Sequence, residues 1–379
     1  MGEWKEVYIE EIGSIENSRR IPLSKLQRAE RQGPFPYYGA SGVIDSVDGY
    51  LFEGEHVLIS EDGENLRSRN TPIAFKANGK FWVNNHAHII KARSPVWASY
   101  LVYYFQQLEL TPYITGAVQP KLSKKNLCSI PIWVPSDKSQ FRFIVEILSS
   151  LDDKIDLLRR QNATLEGLAG ALFREWFESS KERSGWIRQS LYDSLKLVGG
   201  GTPKTGVENY WGGKYGWLSG GDISDNHRSF VISPIKSVTK KGLQNSSAKL
   251  LPKYSTVISA RGTVGKYCLL GKEMSFSQSN YGVLPKSGKC FFYTYLLLGS
   301  EVQKLQNSAY GSVFDTITTR TFKNTIISFP PFKLRSSFEA TVEPFFLKIL
   351  FNQLQVQQLT SLRSLLLSKL LSDSNSLLR

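Results

Sequence analysis

The sequence predicts an α+β chain in which two pseudo-repeated mixed α/β domains are separated by a long antiparallel two-helix coiled coil. Three observations predict it. Landmark residues in the two halves recur at nearly one offset, heptad seams run from 141 to 176 and from 342 to 370, and 379 residues exceed what one hydrophobic core organises.

The repeat comes first. Each copy opens on a tryptophan (Trp4, Trp186), passes through a strand-rich block and closes on a long helix. VLIS at 57–60 faces TVIS at 256–259, and FWVNNHAHII at 81–90 faces SFSQSNYGVL at 275–284. ITGAVQPKLSKKNLCSIPIWVP at 114–135 faces AYGSVFDTITTRTFKNTIISFP at 309–330. That match sets Gly116 opposite Gly311, Leu127 opposite Phe322 and Pro135 opposite Pro330, an offset of 195. Glycine, apolar and proline positions persist while polar positions diverge, as expected of one scaffold carrying two different surfaces. The expected boundaries are a first domain at 1–135, a central helix at 136–183, a second domain at 184–335 and a closing helix at 336–379.

The helices follow from spacing. Phe141, Ile144, Leu148, Leu151, Ile155, Leu158, Asn162, Leu165, Ala169, Leu172 and Trp176 alternate steps of three and four, the signature of a coiled-coil seam. Pro135 stops the preceding strand, and Ser136 or Asp137 can cap the helix. Val342, Phe345, Ile349, Asn352, Val356, Leu359, Arg363, Leu366 and Leu370 repeat the steps with polar interruptions. At 1.5 Å per residue each helix would span roughly 50–55 Å. The residues expected to pair the helices are Leu148, Leu151, Ile155, Leu158, Asn162 and Leu165 against Ile349, Asn352, Val356 and Leu359.

Composition narrows the setting. Hydrophobic content is 41%, and PFFLKILF at 344–351 is short and broken by Lys348, so no membrane partner is expected. The opening MGEWKEVYIEE is charged and lacks a signal-peptide core. Three scattered cysteines fit a reducing cytoplasm and neither a disulfide framework nor a zinc site. The formal net charge is +14 and unevenly placed: residues 184–335 hold 20 basic and 7 acidic side chains, against 15 and 14 in residues 1–135. Clustered cations displace counterions from phosphate, which points to a nucleic acid partner.

Residues 199–224, GGGTPKTGVENYWGGKYGWLSGGDIS, interleave glycine, proline and aromatics and read as turn-rich loop and edge, not helix. No Gly-Lys-Ser/Thr follows the glycines, so this is no phosphate loop. Through Thr202, Pro203, Tyr210, Trp211, Gly212, Gly213, Trp217, Leu218, Gly221, Asp222 and Ile223 the stretch resembles the specificity subunits of type I restriction–modification enzymes. YYGASGVID (37–45) and YLFEGEHVLISEDGEN (50–65) resemble another variant of the same target recognition domain, and residues 143–177 are similar to the family's spacer helix. The resemblance covers nearly the whole chain. It implies a DNA-binding subunit of a restriction system with no catalytic site. Each recognition domain would read one half of a split, asymmetric site on double-stranded DNA. The helices would set the gap and dock two modification (methyltransferase) subunits, and restriction (translocase/nuclease) subunits would join them. S-adenosylmethionine, ATP and Mg are then expected in the partners, and no cofactor in this chain.

SFPPF (328–332) places Phe329 where an amino-methyltransferase motif needs an amide or carboxylate, so it reads as a strand-to-helix junction. Glu61, Asp62 and Glu64 have no carboxylate counterparts in SARGTVGK (259–266), and His86 and His88 share a strand face without a third ligand. No catalytic or metal residue is therefore expected. Base reading uses Arg, Lys, Asn and Gln on ordered loops. The DNA-binding candidates in the first domain are Arg19, Arg20, Arg67, Arg69, Asn85, His86, Lys121 and Lys124, with Asn70, Asn84, Gln119 and Lys125 behind them. In the second they are Lys204, Arg228, Lys240, Lys241, Arg261, Gln278, Asn280, Arg320 and Lys323, with Lys236, Lys249 and Lys266 behind them. Trp211 and Trp217 are expected to pack within the domain. Two rivals have distinct signatures. A coiled-coil scaffold joining two peptide- or glycan-binding domains would need no basic excess, and a fused enzyme would need cofactor and nucleophile motifs.

Overall fold

The computed structural model describes residues 3–310 and 316–371. Gly311, set opposite Gly116 in the sequence, lies outside them. The chain divides into two compact units, Met1–Ile155 with Gln358–Arg379, and Asp156–Gln357.

The first unit holds two four-stranded sheets. One has the antiparallel order Gly13–Ile15, Ala87–Ala92, His56–Ser60, Ala74–Ala77. The other runs Gly42–Val47, Phe35–Gly39, Lys80–Val83, Phe52–Glu53, with a parallel pair at its centre. Every residue of His56–Ser60 is buried. The alternation explains why: Val57 and Ile59 enter one core with the helix Pro95–Gln107, while Leu58 enters a second with Phe52, Phe81 and Ile89. A strand covered on both faces reads as a nearly continuous apolar run, as VLIS does. A two-stranded ribbon, Trp4–Val7 against Ile132–Pro135, closes this unit.

The second unit repeats the plan. Its larger sheet runs Leu195–Gly199, Asn280–Pro285, Thr256–Ser259, Tyr267–Leu270, Phe230–Val231. Its smaller sheet runs Lys236–Val238, Trp211–Leu218, Met274–Phe276, again with one parallel pair, and Ile187–Ser190 pairs Ile326–Phe329. Ile258 and Val257 divide between two cores as Ile59 and Leu58 do. One correction follows from strand register. Ser60 pairs Ala87 and Ser259 pairs Asn280, so Ala87 and Asn280 are equivalent and the offset there is 193. The ungapped sequence match sets Ala87 against Tyr281, one residue out, which would turn the strand's faces over.

The glycine-rich opening of the second unit has a packing cause. A Cβ on Gly200 would sit 2.0 Å from the Ser277 carbonyl oxygen, and one on Gly201 2.3 Å from the Ala248 nitrogen. Trp217 is buried and donates to the Gly201 carbonyl at 2.9 Å. Asp222, 4% exposed, accepts from Ser219 and from the Ile235 amide at 2.9 Å. Most of the conspicuous motif is therefore not the expected loop: Trp211–Leu218 is the middle strand of the smaller sheet and Gly220–Asp225 is a short helix, because Trp217 and Asp222 are drawn into the packing.

The long helices are Lys138–Phe173 and Phe332–Leu370, the second starting four residues before the expected boundary. The Asp137 carboxylate accepts from the Ser139 amide at 2.9 Å and caps the first. All named seam positions of both helices are buried or half-buried. Within the first unit Ile144 and Leu148 share a core with Leu367 and Leu371, and Asp152 pairs with Arg363. Within the second, Asn352 donates to Asn162 at 2.8 Å and Phe338 meets Phe173 edge-on with centroids 5.8 Å apart. Rising numbers on one helix meet falling numbers on the other in each unit, so the pairing is antiparallel. Ile155 and Leu158 are buried, and Leu151, Leu165, Val356 and Leu359 are half-buried. Asn352 is fully buried beside Ile349, whose carbonyl accepts from Asn162 at 3.3 Å.

Candidate nucleic-acid interface

Three segments meet at one end of the first unit's antiparallel sheet. The turn 84–86 joins two strands, the loop at 61–62 follows His56–Ser60, and residues 121–125 open the short helix Lys124–Cys128. Backbone hydrogen bonds tie them: the Glu61 amide to the His86 carbonyl at 2.9 Å, and the Leu122 amide to the Glu61 carbonyl at 2.8 Å. The Asn84 side chain accepts from the His86 amide at 2.8 Å, which shapes the turn. Asn85, at its tip, is exposed, as are Lys121, Lys124 and Lys125. His86 is half-exposed and its Nδ1 lies 2.7 Å from the Asp62 carboxylate.

The second unit builds the same junction from other residues. The Ala260 amide donates to the Ser279 carbonyl at 2.9 Å, and the Ile317 amide to the Ala260 carbonyl at 3.1 Å. Asp62 thus corresponds to Arg261, His86 to Ser279, Asn85 to Gln278 and Lys125 to Arg320. Arg261, Gln278 and Arg320 are all exposed. Ser123 and Thr318 cap the equivalent short helices.

Several expected contacts serve the scaffold instead. Arg20 donates to Glu61 at 2.6 Å and to the carbonyls of Ala87 at 2.8 Å, Asn17 at 3.0 Å and Asn85 at 3.2 Å. Its side chain is 15% exposed, so it fastens the turn from behind. Arg69, with φ of 51°, donates to the Phe105, Gln106 and Leu108 carbonyls at the end of Pro95–Gln107 and caps that helix. Arg67 binds the Gly116 carbonyl at 2.9 Å, and Arg19 pairs with Glu16 and lies over Phe52. Asn280 is 1% exposed and donates to Ser277 Oγ at 2.8 Å, fastening the second turn. Arg20, Arg69 and Asn280, expected to face DNA, are turned inward: both guanidiniums and the Asn280 amide nitrogen bond this chain.

The remaining candidate cations are exposed except for the half-buried Lys266. Lys204, Lys240 and Lys241 lie by the second unit's smaller sheet, where Trp211 donates to the Lys204 carbonyl and the Thr239 amide to Tyr210. Lys323 lies over the Tyr192 ring at 5.0 Å. Arg228 is exposed at φ of 60° and borders a cavity with Glu166 and Tyr267, away from the junction residues.

Glu61 was not anticipated as a hub, although the sequence shows it beside Asp62. Burial raises its carboxyl, but the Arg20 hydrogen bond and nearby cationic groups outweigh this and hold it below the usual range. His88, fully buried, donates from Nε2 to the Leu122 carbonyl at 2.7 Å, and its Nδ1 accepts from Asn17 at 2.8 Å. That network assigns the neutral tautomer, and burial lowers the imidazole below its ordinary value. Among the described residues, no group of three or more His, Cys, Asp or Glu side chains could hold a metal ion, and no helix is long and apolar enough to cross a membrane.

Two divergent copies of one sheet-and-helix unit each gather polar and cationic groups at the same junction. The family model for the type I restriction modification DNA specificity domain matches residues 1–167 and 184–334, and the chain belongs to that family. Among its relatives is S.HindORF215P of Haemophilus influenzae, named as a type I restriction enzyme specificity subunit, 38% identical over 149 residues. That match spans 39% of this chain and 37% of the relative's own length. The HindI specificity subunit of the same organism is 22% identical over 328 residues, covering 67% of this chain and 71% of its own. The crystal structure of the type I restriction–modification S subunit from M. genitalium shares the fold, with a TM-score of 0.66 at 14% identity over 97% of this chain and 96% of that one.

Proposed function

We propose that this chain is the non-catalytic specificity subunit of a cytoplasmic type I restriction–modification complex. The domains expected at 1–135 and 184–335 each read one half of a bipartite, asymmetric site on double-stranded DNA. The spacer helices expected at 136–183 and 336–379 set the spacing and dock two modification subunits. Restriction subunits complete the assembly. S-adenosylmethionine, ATP and Mg belong to those partners.

The observation that carries this reading is the repeated junction. The backbone connections are the same in both units, while the exposed side chains differ: His86 and Lys121 in one, Arg261 and Arg320 in the other. Equal scaffolds with unequal tips suit two readers of unequal half-sites. A scaffold joining peptide- or glycan-binding domains has no comparable use for the +13 net charge of residues 184–335.

Co-expression with the cognate modification subunit tests the proposal. Adenine methylation should fall on a single two-part motif across the host genome. A stable complex that yields no such motif refutes the reading. Exchanging residues 1–135 for another recognition domain should alter one half of the motif, and alteration of both halves refutes the division of labour.

A further inference from the structure

Asn85 and Gln278 occupy one position of the repeat and carry one functional group. Each is the middle residue of a three-residue turn, 84–86 between Lys80–Val83 and Ala87–Ala92, and 277–279 between Met274–Phe276 and Asn280–Pro285. Each is exposed, and neither carboxamide has a hydrogen-bond partner among the described residues. Their backbones are anything but free. In the first unit Arg20 holds the carbonyls of Asn85 and Ala87, and the Glu61 amide holds His86. In the second, Asn280 grips Ser277, the Ala260 amide holds Ser279, and Gly200 packs against the Ser277 carbonyl. The two turns are clamped by unrelated devices, yet both present an amide.

A carboxamide offers one donor and one acceptor side by side. In the major groove adenine alone presents the matching pair, the N7 acceptor and the N6 amino donor. We propose that Asn85 and Gln278 are the adenine-reading groups of the two units, each bonded through the major groove to an adenine in its own half-site. This rests on the DNA-reading function proposed above. A base undergoing methylation leaves the stack, so the adenine read here is a different one. The neighbours then distinguish the halves: His86 beside Asp62 in the first unit, Arg261 in the second, whose guanidinium matches guanine O6 and N7.

The test uses the full chain co-expressed with its modification subunit, with methylated motifs mapped for wild type, Asn85→Ala and Gln278→Ala. Each variant should relax one adenine position in one half, with discrimination falling about tenfold or more, while the other half stays strict and reports an intact fold. Asn85→Arg should move that position toward guanine. An unchanged motif in both alanine variants, or relaxation at a position that is not adenine, overturns the inference while leaving the DNA-reading function standing. A wild type without a bipartite motif removes that function and the inference with it. If an alanine variant gives no methylation, competition binding with duplexes varied at each position takes over: lost preference for adenine supports the inference, and retained preference overturns it.

Discussion

Replacing Arg20 with methionine separates a fastener from a DNA contact. Methionine keeps much of the side chain's length and removes the guanidinium. The loss is four hydrogen bonds, to Glu61 at 2.6 Å and to the carbonyls of Ala87, Asn17 and Asn85. Among the described residues Glu61 then keeps Lys121 at 3.5 Å and the His88 ring at 3.6 Å, and its side chain is 12% exposed. Stranding one member of such a largely buried pair costs about 3 kcal/mol, the lower end of the range for these removals. The pH dependence should change sign. In the wild type the depressed Glu61 carboxyl contributes stability that is present above the unfolded value and lost as pH falls through the folded one. In Arg20→Met burial acts with less opposition and raises the folded carboxyl, so protonation relieves the variant and its penalty should be smaller near pH ~4 than at pH ~7. Urea unfolding, with hydrogen exchange on strand Ala87–Ala92, measures both effects. A variant that keeps wild-type stability while its DNA affinity falls and its salt slope drops by about one would show that Arg20 touches phosphate, and would refute the fastener.

Three further outcomes are expected. Acidification below pH ~6.5 should weaken the first unit, because the His88 imidazole is depressed when folded and the unfolded chain takes up its proton first; His88→Gln should flatten that slope in urea titrations. Asn162→Leu alone should cost about 1–3 kcal/mol by leaving the fully buried Asn352 with only the long 3.4 Å bond to Gln161 among the described residues, and Asn162→Leu with Asn352→Leu should recover most of it in thermal unfolding. Lys124→Ala, at an exposed helix start, should lower DNA affinity similarly for cognate and non-cognate duplexes and reduce the slope of log affinity against log salt by about one.

The architecture was legible because it is periodic. Heptad steps carry from Phe141 to Trp176 without depending on any single residue, and VLIS against TVIS survives because both faces of those strands are covered. The register was not legible. Between Ser60 and Ala87 the chain takes 27 steps, and between Ser259 and Asn280 it takes 21, so an ungapped match slips by a residue where polar positions have diverged. The site was half legible. Asn85, Lys124, Gln278 and Arg261 are exposed as a base or phosphate contact requires, but Arg20, Arg69 and Asn280 look identical to them in a string of letters. What separates the groups is which carbonyls lie within reach, and those come from segments up to 67 residues away. Pro344 likewise sits inside the second long helix, where local propensity argues against it.

The unlike clamps behind the two turns constrain any attempt to re-engineer this chain. Grafting 84–86 into the place of 277–279 would bring the fingertip without its knuckle, since the donor turn leans on Arg20 and the recipient on Asn280, within the very strand that follows. Single-residue exchange at the tip leaves both supports in place. New targets are therefore reached more safely by altering Asn85 or Gln278 where they stand than by transplanting loops between halves.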